Sequence, residues 1–301
     1  MCGTCGCSSG AVITLLPPAR AVPAWLGGSQ LARLDHPHRH DAGPLHLHAA
    51  GLHAHGTTTH QHEHHDHEHG DDHVPVLGVP SSDRTIELQQ KVLAKNDEIA
   101  EGNRHWLRDR GILAVNLMSS PGAGKTTLLE RTSKELADRL PISVIEGDQE
   151  TALDAKRIQA AGSRVVQINT GVGCHLDAEM VAHGLRGLDP PSGSIVVIEN
   201  VGNLVCPALF DLGESARVVL AATTEGADKP LKYPHMFRQA DLVLLNKTDL
   251  LPYVDFDLKQ YMSDLRRAAP DALLLQMSAT TGDGMQGWYD WLRRRVPSPR
   301  D

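Results

Sequence analysis

The pattern of apolar and polar positions divides the chain near residue 81. Residues 1–80 show neither a sustained helical period nor a sustained alternation, and they are rich in Gly, Pro, Ala and His. Such a stretch cannot bury enough apolar surface to offset its chain entropy, which predicts a mostly disordered segment. From Ser81 the pattern changes. Ser81-Ser82-Asp83 offers a cap for a helix with apolar positions Ile86, Val92, Leu93, Ile99, Trp106 and Leu107, ended by Gly111. Short β-rich runs follow at Ile112–Met118, Ile142–Glu146, Val165–Ile168, Ile195–Glu199, Val218–Ala222, Leu242–Leu245 and Ala272–Gln276. Helix-length segments such as Thr126–Arg139 and Leu258–Ala268 lie between them. The rhythm predicts an α/β domain over residues 81–301, with a mostly parallel sheet flanked by helices on both faces. Ligands of such sheets bind beyond the carboxyl ends of the strands.

The chemistry-bearing motifs fall at those ends. Ser119-Ser-Pro-Gly-Ala-Gly-Lys-Thr126 follows a strand and opens a helix, the context of a P-loop, with Ser119 where the strict pattern has Gly. Backbone N–H groups of Gly122, Ala123, Gly124, Lys125, Thr126 and Thr127 would cradle phosphates at the helix N-terminus. Lys125 would reach the β/γ-phosphates, and the Thr126 hydroxyl would hold Mg²⁺. Asn246-Lys-Thr-Asp249 follows another apolar strand and resembles the guanine-reading motif of GTPases. Asp249 can accept from guanine N1–H and the 2-amino group, Lys247 can lie over the base, and Asn246 can brace the loop. Ser278-Ala279 resembles a further base-contacting loop. Asp148 and Glu199 end strands where a Mg²⁺ carboxylate is expected, and Gly202 could donate its N–H to the γ-phosphate. Hydrolysis at such a site rests on positioning and charge neutralisation, which makes Lys125 and Asp148 the catalytic candidates.

Composition adds a second chemistry. The 301 residues include 18 His and 5 Cys. Fourteen of the His lie between His36 and His73, and three of the Cys lie in Cys2-Gly-Thr-Cys5-Gly-Cys7. Three clustered thiols in a reducing compartment read as metal ligands; with an amine or amide nitrogen they suit a square-planar ion such as Ni²⁺, whereas Zn²⁺ prefers four S/N ligands. The His tract offers many neutral imidazoles for loosely held ions. Cys174-His175 and Cys206 lie on loops at the nucleotide end of the sheet. They are too few for a tetrahedral site in one chain, and two copies across a symmetric dimer could complete one. For Cys206, a buried structural thiol is nearly as plausible as a ligand. The net charge of −8, shared equally by residues 1–80 and 81–301, and 4% aromatic content argue against nucleic-acid binding. Apolar runs far below the length of a membrane span and the absence of a signal-peptide pattern point to a cytoplasmic protein without membrane insertion.

Taken together, Cys2–Cys7, the His-rich insert, Ser119–Thr126, Glu146-Gly-Asp-Gln-Glu-Thr151, Gly173-Cys-His175, Glu199-Asn-Val-Gly-Asn203 with Cys206, and Asn246–Asp249 resemble the HypB family, the nickel-handling GTPases of [NiFe]-hydrogenase maturation. The resemblance implies a P-loop GTPase of the SIMIBI class that dimerises on GTP binding. It implies a tight Ni²⁺ site at Cys2, Cys5 and Cys7, and a Zn²⁺/Ni²⁺ interface site at Cys174, His175 and Cys206. It also implies a HypA-type nickel chaperone and the hydrogenase large-subunit precursor as partners. The rival expectations are a related GTPase serving another nickel enzyme such as urease, and a nickel storage or detoxification protein.

Overall fold

The structure, a computed structural model, describes residues 12–16, 82–148, 153–171 and 173–297. One sheet holds eight strands: β1 (Val12–Leu16), β2 (Leu113–Ser119), β3 (Ile142–Asp148), β4 (Arg164–Asn169), β5 (Ile195–Glu199), β6 (Ala216–Ala222), β7 (Leu242–Asn246) and β8 (Leu273–Gln276). Their order is β1-β4-β3-β5-β2-β6-β7-β8, and every pairing is parallel except β1 with β4. The helices are α1 (Ser82–Asp109), α2 (Lys125–Leu136), α3 (Leu153–Ala160), α4 (Ala178–Leu188), α5 (Lys229–Lys232), α6 (Pro234–Arg238), α7 (Leu258–Ala268) and α8 (Met285–Arg295). None of the described helices is long and apolar enough to cross a membrane.

The central strands read as continuous apolar runs because helices cover both of their faces. Alternation survives in where each side chain goes. In β5, Ile195 and Val197 pack into one core with Leu128 and Leu129 of α2 and Trp288 of α8. Val196 and Ile198 enter the opposite core with Leu107 of α1 and Val181 and Leu185 of α4. A third cluster joins Val219 and Val243 to Phe237 of α6 and Tyr261 and Leu265 of α7. Each fully buried aliphatic side chain contributes on the order of 1.5–3 kcal/mol. The Trp288 indole N–H donates to the Thr132 hydroxyl at 3.0 Å, so the largest buried ring also satisfies its one polar atom.

The strand bounds differ from the sequence reading by one or two residues, and the differences matter at β3. That strand runs on through Gly147 to Asp148, which puts both acidic residues on paired strand. Helix α1 departs from its expected stripe. Val92 is 38% exposed, and the buried positions are Asn96, Ala100, Asn103 and Leu107, one face at helical spacing. The two asparagines dock it. Asn96 donates to Asp211 O and accepts from Ala178 N, and Asn103 donates to Ala178 O and Leu212 O.

β1 adds one regular element to residues 1–80, which the sequence predicts as mostly disordered. Val-Ile-Thr-Leu-Leu is short and lacks alternation, yet as an edge strand it needs only one neighbour. It runs antiparallel to β4 with Val12 opposite Asn169, so it begins at the carboxyl end of the sheet. Val12, Ile13 and Leu15 keep exposed side chains there. The expected disorder of the rest of 1–80 concerns residues outside those described.

Candidate nucleotide and metal sites

Ser119–Thr126 joins the end of fully buried β2 to the start of α2. Gly122 (φ 75°) and Gly124 (φ 104°) adopt left-handed conformations, and a Cβ on Gly124 would lie 2.6 Å from Asn246 Nδ2. Gly124 is therefore required by both its backbone conformation and the close approach of its neighbour. It also occupies the N-cap of α2 without a side-chain cap, which leaves the first N–H groups of that helix available to an anion. The Lys125 ammonium donates to the Ser119 hydroxyl at 2.8 Å, and Ser119 donates onward to Ser120 O at 2.6 Å. The serine that departs from the strict pattern thus holds the lysine. Burial lowers the Lys125 pKa, and Glu199 opposes that shift.

The wall beyond Lys125 is acidic. Thr126 donates to Glu199 Oε1 at 3.2 Å. Glu199 and Glu146 stand directly opposite each other on paired β5 and β3. Both are nearly fully buried, and the Oε2 of each lacks a hydrogen-bond partner among the described residues. Burial raises Glu146 to about 9, with the Glu199 and Asp148 charges adding to it. Burial raises Glu199 to about 7, offset most by Lys125. Unpartnered buried carboxylate oxygens beside a threonine hydroxyl form a hard donor set that fits a divalent cation such as Mg²⁺. Asp148 ends β3 two residues beyond Glu146, and its carbonyl accepts from Thr170 N at 2.9 Å. The sequence reading gave Glu146 no role. The signal was present: an acid two residues before Asp148 in an apolar strand shares its face.

On the far side of the loop, Asn246 links two segments. Its amide donates to Ala123 O and accepts from Ala279 N, each at 2.9 Å. Lys247, itself left-handed at φ 61°, donates to Gly122 O at 2.8 Å. Asp249 lies in the 3₁₀ turn Thr248–Tyr253, and its buried Oδ1 has no hydrogen-bond partner among the described residues. The Ser278 hydroxyl accepts from Thr281 N. Gly202 approaches the loop from β5; a Cβ there would lie 3.1 Å from Pro121 Cα. Thr127 is half-buried in the first turn of α2. All the expected loop and base-side residues therefore gather at one end of the sheet. A group that sequence reasoning missed also lies there. Lys229 bridges Glu225 at 2.8 Å and the Ser120 hydroxyl at 2.5 Å.

Cys174, His175 and Cys206 converge, their ligand atoms all within 4.8 Å of one another. The Cys174 thiol lies 3.6 Å from His175 Nδ1. The His175 ring is 2% exposed and stacks on Phe210 at a centroid distance of 3.9 Å. Burial lowers its pKa, against the pull of Asp177, which favours the neutral imidazole that metals require. Cys206 opens the 3₁₀ turn Cys206–Leu209, half-buried and free, with exposed Val205 and Leu209 beside it. Three soft donors fall one short of a tetrahedron. Cys2, Cys5, Cys7 and the His36–His73 tract lie outside the described residues, as do Gln149, Glu150 and Thr151.

Residues 113–276 match the family model "CobW/HypB/UreG, nucleotide-binding domain". The hydrogenase maturation factor HypB of Rhizobium leguminosarum is 54% identical over 220 residues, covering 73% of each chain. That of Azotobacter vinelandii is 42% identical across 98% of this chain and 92% of its own. Among solved structures, HypB of Archaeoglobus fulgidus superposes with a TM-score of 0.64 at 41% identity, covering 68% of this chain and all of its own. HypB of Helicobacter pylori in complex with nickel gives 0.63 at 35% identity, covering 69% and 99%. With matched length, identity and the two clusters at the carboxyl end of the sheet, the chain belongs to the CobW/HypB/UreG family and, within it, to the HypB hydrogenase maturation factors.

Proposed function

We propose that the protein is a GTP-hydrolysing nickel metallochaperone that stores nickel and delivers it for assembly of the [NiFe]-hydrogenase active site in the cytoplasm. The observation that carries this reading is the shared segment between the sites. Cys206 lies seven residues after Glu199 on one continuous stretch, so a group that touches the P-loop and a metal ligand move on the same piece of chain.

In this reading the Asp249 carboxylate accepts from guanine N1–H and the 2-amino group, Lys247 covers the base, and Asn246 locks the Ser278-Ala279 loop against Ala123. The N–H groups of Gly122–Thr127 bind phosphate oxygens. Lys125 exchanges the Ser119 hydroxyl for β/γ-phosphate oxygens, and its charge is stabilised where anionic oxygens replace a neutral partner. Thr126, Glu199 and Asp148 would hold Mg²⁺, which would supply charge neutralisation to the phosphates. Gly202 donates its N–H to the γ-phosphate. Water then attacks the γ-phosphorus, the bond to the β-phosphate oxygen breaks, and GDP and phosphate leave.

Nickel is the cargo. Cys174, His175 and Cys206 bind Ni²⁺ or Zn²⁺, completed by the same residues of a second copy when GTP pairs two subunits. Cys2, Cys5 and Cys7 form the tight Ni²⁺ site, and the His tract in residues 1–80 is the store. A HypA-type chaperone and the hydrogenase large-subunit precursor receive the metal. The test is metal content and GTP turnover of the purified protein, combined with hydrogenase activity in a strain lacking it. Nickel-dependent restoration that requires both Lys125 and Cys174 supports the reading; restoration by either variant alone contradicts it.

A further inference from the structure

Resting on that reading, we infer that Asn200 is the positioning residue that couples the two sites, because its side chain holds the Cys174–Leu176 segment to the strand end that carries Glu199. Asn200 is 1% exposed and follows Glu199 directly. Its Oδ1 accepts from Val201 N at 3.0 Å and from Leu176 N at 3.1 Å, and its backbone N–H donates to Leu117 O at 3.1 Å. Its Nδ2 faces Asn116 Oδ1 at 3.4 Å, and Asn116 donates in turn to Glu214 at 3.2 Å. The amide is thereby oriented from behind by a buried polar chain and presents its oxygen to two backbone donors on different segments.

Those two donors belong to the two halves of the metal cluster. Val201 begins the run through Gly202 to Cys206, and Gly202 packs against Pro121 of the P-loop. Leu176 follows Cys174 and His175, and its side chain covers Gly147, where a Cβ would sit 2.8 Å from Leu176 Cγ. Gly147 separates Glu146 from Asp148 on β3. Movement of Gly202 toward a γ-phosphate pulls Val201 N against Asn200 Oδ1. The same oxygen then releases or reseats Leu176 N, which changes the spacing of Cys206 from Cys174 and His175. A buried oxygen shared by two donors is suited to this exchange because neither donor has water to fall back on. A nucleotide shifts metal affinity only through contacts that differ between its states, and this shared acceptor supplies one.

The experiment is a Ni²⁺ competition titration on the full chain loaded with GDP or with a non-hydrolysable GTP analogue. The wild type should show affinities differing by at least about fivefold between the two nucleotides. Asn200→Ala should bind metal and nucleotide with unchanged stoichiometry while the affinity ratio falls to about one. Should Asn200→Ala not fold, Asn200→Ser, whose hydroxyl is too short to reach Leu176 N, is read the same way. Asn200→Asp keeps the acceptor oxygen and should restore part of the ratio. A wild-type ratio that survives both Asn200→Ala and Asn200→Ser overturns the role of Asn200 alone. A wild-type ratio of one removes the coupling from the functional reading, and the role of Asn200 with it.

Discussion

The two clusters at the carboxyl end of the sheet are made of different material. Around Ser119–Thr126 the donors are oxygens and backbone N–H groups fixed on strand ends and on a helix N-terminus. Glu146 and Glu199 stand opposite each other in the β3–β5 register. Around Cys174, His175 and Cys206 the donors are two thiols and an imidazole on loops and a single 3₁₀ turn. The first arrangement is held by the sheet itself. The second is held by particular side chains, Phe210 against the His175 ring and Asn200 against Leu176 N. On the proposed reading, occupancy of the first site resets the geometry of the second through those side chains.

The contrast breaks most sharply at Lys125. Lys125→Ala removes the ammonium that the proposed mechanism places on the β/γ-phosphates, and turnover should fall about a thousandfold or more. Metal stoichiometry should stay unchanged. Phosphate release and a nickel titration on one preparation check both halves, and loss of metal binding would show that the clusters are not separable.

Asp249→Asn follows in size. It replaces a charged acceptor of two hydrogen bonds, and GTP affinity should drop about a hundredfold. Affinity for xanthosine triphosphate, whose 2-oxo group accepts where guanine donates, should rise. Equal losses for both nucleotides would move the base away from Asp249.

On the metal side the effects are smaller and graded. Cys174→Ala should weaken nickel binding by residues 81–301 about ten- to a hundredfold, leaving binding at the proposed Cys2–Cys7 site unchanged. Phe210→Ala removes only the ring packed on His175 and should cost about 0.5–1.5 kcal/mol, roughly two- to thirteenfold in affinity. A Phe210→Ala loss as large as that of Cys174→Ala would make the ring's support as important as a ligand.

A separate effect concerns protons. Glu146 titrates at about 9 in the fold, above its ordinary value of 4.5. The folded protein therefore binds more protons than the unfolded chain between those limits, and stability of the nucleotide- and metal-free protein declines as pH rises through them. Glu146→Gln should flatten that decline. Denaturant unfolding at about pH 6 and about pH 9 reads it, and an unchanged slope would place the titrating group elsewhere.

Much of this organisation is legible in the residues. The apolar runs place β5 and β7 to within one residue, and Gly122, Gly124 and Asn246 are legible from motif chemistry because their types are dictated locally. The convergence of Cys174, His175 and Cys206 follows from loops that leave the same end of a parallel sheet. What was not legible depends on register and long-range pairing. Glu146 can be read as sharing a face with Asp148, but that it stands opposite Glu199 appears only when β3 and β5 align, the acceptor role of Asn200 toward Leu176 depends on a contact across 24 residues, and β1 has no periodicity to announce it. Asn96 and Asn103 were invisible for the same reason, being polar residues whose partners lie more than 70 positions away.

The most direct test follows one turnover. Protein loaded with Ni²⁺ at Cys174, His175 and Cys206 and with GTP is mixed with a chelator, and nickel transfer and phosphate formation are recorded together. Nickel release should keep pace with hydrolysis in the wild type and lag far behind in Lys125→Ala. Release at the same rate in both proteins would contradict the coupling of the two clusters.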